Sequence, residues 1–110
     1  MKINKLNDII IGGGETPSVG IIPNSDTTPE LADIPVWKTA VSGSVTITNF
    51  TGCNEGTTRK IVFSNSNTTL QNGVNIKLQG GIDFTGNVDD TITLIYVGLA
   101  WHETGRSLNS

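Results

Sequence analysis

The sequence predicts an all-β domain, a small antiparallel sandwich or barrel, carried behind an extended N-terminal arm. Three observations lead there. Thr, Asn, Gly and Ser are abundant while the straight-chain helix formers are sparse. Short apolar runs recur between turn residues, the spacing of a sandwich or barrel. All 4 prolines, Pro17, Pro23, Pro29 and Pro35, fall in the first third of the chain.

The prolines divide the chain into an arm at residues 1–35 and a β domain at residues 36–110. Proline lacks an amide donor and biases the preceding residue toward extended geometry, so residues 12–35 suit an arm that crosses a surface without entering a sheet. Gly12-Gly13-Gly14 is read as its hinge. Residues 3–11 fit a short amphipathic helix or an edge strand equally well. The formal net charge of -3 resides in the arm, where Lys2 and Lys5 face Asp8, Glu15, Asp26, Glu30 and Asp33; the remainder of the chain is balanced. The aromatic residues do the reverse, since Trp37, Phe50, Phe63, Phe84, Tyr96 and Trp101 all follow Pro35 and can build a core.

Six or seven strands are expected in the β domain. Val45-Thr46-Ile47-Thr48 alternates and is closed by the turn-like residues 51–56. Lys60-Ile61-Val62-Phe63 follows, and the Ser/Asn-rich residues 64–67 break the chain before Thr68-Thr69-Leu70. Asn72-Gly73 signals a tight turn, Asn75-Ile76-Lys77-Leu78 leads to Gly80-Gly81, and Ile82-Asp83-Phe84 makes another short rung. A turn at Asp89-Asp90 precedes the longest strand, residues 91–97, in which Ile92, Leu94 and Tyr96 share one face. A hairpin turn at Val97-Gly98 returns the chain through Leu99-Ala100-Trp101-His102-Glu103.

Charge excludes some partners. With 15% charged residues and a negative balance, no basic surface is expected to neutralise phosphates or bind an anionic membrane, so nucleic acid is not an expected partner. The N-terminus lacks the pattern of a signal peptide, and no stretch is long and apolar enough for a bilayer span.

Catalytic chemistry finds little to work with. His102 is the single histidine and stands beside Glu103, but neighbours in a strand point to opposite faces and make no dyad. The single Cys53 lies in a polar turn without a nearby base or cation in sequence to lower its pKa, and it has no second thiol for a disulfide or zinc site. Asp89-Asp90 reads as a turn before a cation ligand pair, and Gly12-Gly13-Gly14 lacks the ending of a phosphate loop. No catalytic, cofactor or metal residues are therefore assigned. Trp37 and Trp101 are the candidates for a surface or interface aromatic platform, with core packing as the competing role.

Residues 36–107 resemble a small β module of tailed-phage virion proteins, found in head decoration proteins, head fibres and tail-fibre tips. The resemblance rests on Trp37-Lys38-Thr39-Ala40, on residues 46–52 (TITNFTG), on residues 61–70 (IVFSNSNTTL), on residues 75–85 (NIKLQGGIDFT), and on Asp90-Thr91-Ile92-Thr93-Leu94-Ile95-Tyr96 through Trp101 to Glu103. It covers about two thirds of the chain. Two departures stand out: Val97-Gly98 replaces the usual Asp-Gly of the hairpin, and Arg59 occupies a position that is commonly apolar. The resemblance implies a non-enzymatic virion component, made in a host cytoplasm and commonly trimeric. The expected function is a capsid decoration (cement) protein that trimerises on the head, its partners being further copies of itself and the major capsid protein. Ile9, Ile10, Ile11, Ile21 and Ile22 would anchor its arm to capsid subunits. The alternative is a head- or tail-fibre module that binds host glycan or protein, with Trp37 or Trp101 exposed.

Overall fold

A computed structural model of the chain describes residues 18–40 and 42–110. They form nine strands: β1 (Gly20–Ile22), β2 (Val36–Thr39), β3 (Val45–Ile47), β4 (Thr58–Val62), β5 (Thr68–Leu70), β6 (Ile76–Lys77), β7 (Phe84–Thr85), β8 (Thr91–Val97) and β9 (Ala100–Ser107). A single 3-10 turn, Gln79–Gly81, lies between β6 and β7, and there is no α-helix among the described residues. The all-β reading of the sequence holds.

The strands make two sheets. A six-stranded sheet runs β1-β2-β4-β8-β9-β6, and a three-stranded one runs β3-β5-β7. Both contribute to one core, with Ile22, Ile61, Ile76, Ile92, Leu94 and Trp101 from the large sheet and Ile47, Leu70 and Phe84 from the small one. Leu31, Phe50, Phe63 and Leu78 fill the core from connecting segments. Alternation explains the division, since Ile92 and Leu94 are buried while Thr91, Thr93 and Ile95 between them are only half-buried.

The sheets are mixed, which corrects the antiparallel expectation. The pairs β1/β2, β2/β4, β3/β5 and β9/β6 are parallel; β8/β9, β4/β8 and β5/β7 are antiparallel. The cause is the path of the chain. From β2 to β8 successive strands alternate between the large and the small sheet, so β4 returns parallel to β2 and β5 parallel to β3, whereas β7 and β8 return antiparallel to β5 and β4. The short rungs of the sequence are steps of this winding. Asn72-Gly73 accordingly carries the chain from the small sheet to the large one instead of closing a hairpin, with Asn72 Oδ1 accepting the Leu78 amide at 2.9 Å.

The hairpin lies at β8/β9. Its central residues are Gly98 and Leu99, with φ of 65° and 66°, between the paired Val97 and Ala100. The turn therefore sits one residue later than expected, and a leucine occupies a left-handed position. The turn at Asp89-Asp90 forms as expected, with Asp89 at φ 71° and the Asp90 amide donating to the Asn87 carbonyl.

The largest correction concerns residues 18–35. These residues belong to the β body and not to a separate arm: β1 pairs with β2 in parallel, Ile22 is 1% exposed and Leu31 is 0% exposed. Each such side chain contributes about 1.5–3 kcal/mol by leaving water, enough to fix the segment. Proline does not prevent this, because its carbonyl still accepts. Pro29 O receives the Thr51 amide and Pro35 O the Lys60 amide, both at 3.0 Å. The boundary at residues 35/36 thus falls inside the packed body, and the part of the arm at residues 1–17, with its proposed hinge, lies outside the described residues.

Candidate interaction surface

Register decides which side chains share a face. Three rows cross the outer side of the six-stranded sheet: Ile21, Lys38, Val62 and Thr91; Val36, Lys60 and Thr93; Thr58, Ile95, His102 and Lys77. Each alternates with a core residue on the same strand, so these side chains point away from the core. Lys38, Lys60 and Lys77 are exposed and are all the lysines of the described residues. No carboxylate belongs to any of the three rows. A chain with negative net charge therefore presents one cationic, hydroxyl-bearing sheet face, contrary to the expectation that it has no basic surface. Composition hides this because it sums over faces; only the period of two combined with the strand register separates them.

The opposite layer carries the other sign. Residues 23–35 cross beside the segment that follows β3, through Thr48 N to Thr27 O, Thr51 N to Pro29 O and Leu31 N to Thr51 O. They contain Asp26, Glu30 and Asp33 and no lysine or arginine. Arg59, on the inner side of β4, donates from Nε to the Leu31 carbonyl at 2.7 Å and ties this acidic segment to the sheet. That contact gives the guanidinium of a cation on the inner side of the strand a main-chain acceptor.

The proposed arm anchors separate into three groups. Ile9, Ile10 and Ile11 lie outside the described residues. Ile21 is 56% exposed on β1, which is an edge of the large sheet. Ile22 is buried in the core and is not free to anchor anything.

Trp101 is not a surface aromatic. It is fully buried, its indole N–H donates to the Phe50 carbonyl at 3.0 Å, and its ring meets Phe50 edge-on with centroids 5.9 Å apart. Trp37 is half-buried on the inner side of β2; its indole N–H donates to the Ile34 carbonyl at 2.7 Å and its ring covers Gly20. Both rings sit on the core side because their strands alternate, and neither offers an open stacking platform.

The titratable groups serve structure. Burial pushes the Cys53 thiol up, opposed by Arg59, and its Sγ contacts the Leu31 carbonyl at 3.3 Å, which disfavours the thiolate a nucleophile needs. The Arg106 guanidinium lowers the pKa of Glu103 by forming two hydrogen bonds to it, and Glu103 in turn raises that of Arg106. Arg106 also stacks 4.0 Å from the Phe84 ring centroid. Asp90 is buried and lies below the usual carboxylate range, chiefly because it accepts the Asn87 amide, with further help from Asn109 and Ser110. His102 points outward with Nε2 3.1 Å from the Val97 carbonyl, while Glu103 points inward, so the two do not form a dyad.

Among the described residues no group of His, Cys, Asp and Glu converges as a metal ion requires, and no helix is long and apolar enough to cross a membrane. Comparison with known protein families, with curated proteins and with solved structures gave no match.

Proposed function

We propose that this chain is a structural protein of a tailed-phage virion, a capsid decoration (cement) protein that associates as a homotrimer on the head and binds major capsid subunits through its N-terminal residues. The observation that carries the reading is the sheet edge at β1. Among the described residues β1 pairs only with β2, and the edge of a sheet is where a further strand can be added by main-chain pairing. Val19 and Ile21 stand exposed at that edge, 55% and 56% accessible, and the chain enters it directly from residues 1–17. Ile9, Ile10, Ile11 and Ile21 are the anchors of this reading; Ile22 belongs to the core. The titratable side chains support a binding role over a catalytic one, since Cys53, Asp90, Glu103 and Arg106 each hold the fold together.

Removal of residues 1–17 tests it. The shortened protein is expected to fold, to keep its oligomeric state and to lose binding to heads purified without it, measured by co-sedimentation. Undiminished binding would sink the proposal. The alternative, a fibre module recognising host glycan, loses its aromatic platform with the burial of Trp101, and binding on a glycan array would restore it.

A further inference from the structure

We infer that the outer face of the six-stranded sheet is a contact between copies of this chain, in which Lys38, Lys60 and Lys77 of one copy meet the acidic segment at residues 23–35 of the next. This deepens the self-association part of the proposed function and does not depend on the capsid part. Its basis is polarity. The lysines stand on strands β2, β4 and β6, so they spread across the sheet instead of clustering at one edge. Half-buried Val36, Val62, Thr91 and Thr93 lie between them, and the aliphatic lysine stems lie along such a surface while their ammonium groups stay in water. Asp26, Glu30 and Asp33 lie in the opposite layer, on a segment held rigidly through Leu31 and Arg59.

Opposite signs on opposite layers select the kind of contact. A two-fold contact of sheet face on sheet face would set lysines against lysines, which costs binding energy. A heterologous contact sets the cationic face of each copy on the acidic layer of its neighbour, and such contacts close into rings or run on as fibres. The charge pattern is thus that of a head-to-tail assembly in which each copy uses both of its layers.

The full-length protein tests this by light scattering. Oligomers are expected at about 10 mM ionic strength and dissociation toward the single-chain mass of 11.7 kDa at about 1 M, as the screening length falls from ~30 Å to ~3 Å. The K38E/K60E/K77E variant changes only exposed side chains and is expected to fold with an unchanged circular dichroism spectrum but to stay monomeric. Mixing it with an E30K/D33K variant is expected to restore the contact between unlike copies, seen as species heavier than the single chain, whereas each variant alone stays monomeric. Oligomers that survive both high salt and the K38E/K60E/K77E substitutions would overturn this interface while leaving the trimer reading intact. A monomer under every condition would overturn both. A K38E/K60E/K77E variant that still assembles but no longer binds heads would overturn the contact between copies and assign the face to the capsid.

Discussion

Gly86 shows how closely single residues are fitted. A β-carbon there would lie 2.3 Å from the Phe63 ring, and that ring is itself fixed edge-on against Phe84 at 5.5 Å. Gly86→Ala is expected to cost about 1–3 kcal/mol in chemical denaturation, since the packed core must shift to admit one methyl group. Leu99 is the opposite case. It is 82% exposed at φ 66°, where a branched side chain is strained and little packing opposes removing it. Leu99→Gly or Leu99→Asn is expected to raise stability by about 0.5–1 kcal/mol, read from the same denaturation curves. Asp90 carries a pH dependence. Its folded-state pKa is depressed, so its stabilising contribution is complete above the unfolded value of about 4 and disappears as pH falls through the lower folded value. The gap in denaturation midpoint between the native protein and Asp90→Asn is expected to be widest near neutrality and to close in acid; a constant gap would refute this role.

Among the elements, β9 does most to join distant parts. Its register slips between Glu103 and Gly105, just after Glu103, which the pleat points inward like Trp101. There one Glu103 oxygen accepts both the Gln79 amide at 2.8 Å and Arg106, linking β9 to the 3-10 turn that follows β6. Glu103→Gln retains the shape but loses the charge and leaves Arg106 partly unmatched. A loss of about 1–2 kcal/mol is expected at neutral pH, smaller than for a fully buried pair because part of the Arg106 side chain remains in solvent. Little of this was legible in sequence. The sequence showed only that Glu103 diverges from its neighbour His102, whereas its partners are Arg106, beyond the register slip, and Gln79, in the connection after β6.

For the whole molecule, the winding between layers determines where the body begins. Residues 18–35 supply β1, Leu31 and the pairing of Pro29 and Leu31 with Thr51, so the body starts upstream of the last three prolines. Truncation to residue 17 is expected to leave the melting temperature within a few degrees of the full chain. Truncation to residue 30 removes Ile22 and uncovers one side of Trp37, and about 1.5–3 kcal/mol for the buried isoleucine alone is expected to lower melting by several degrees. Proline spacing misplaced this boundary because proline reports which amides cannot donate, not which carbonyls accept.

Local chemistry was enough for the sequence by itself to determine the fold class: alternation placed Ile92 and Leu94 on one face, turn residues bounded the rungs, and the scarcity of helix formers left strands as the remaining choice. It also determined that His102 and Glu103 diverge, because that follows from the pleat alone. Strand order, the parallel pairings, the burial of Trp101 and the cationic face were decided only by the tertiary structure. Each depends on which distant residues become neighbours, and a strand's own pattern says which side chains point together without saying which strand lies beside it. Lys38, Lys60 and Lys77 are three isolated charges along the chain, and they become one surface only when β2, β4 and β6 take their places in the same sheet.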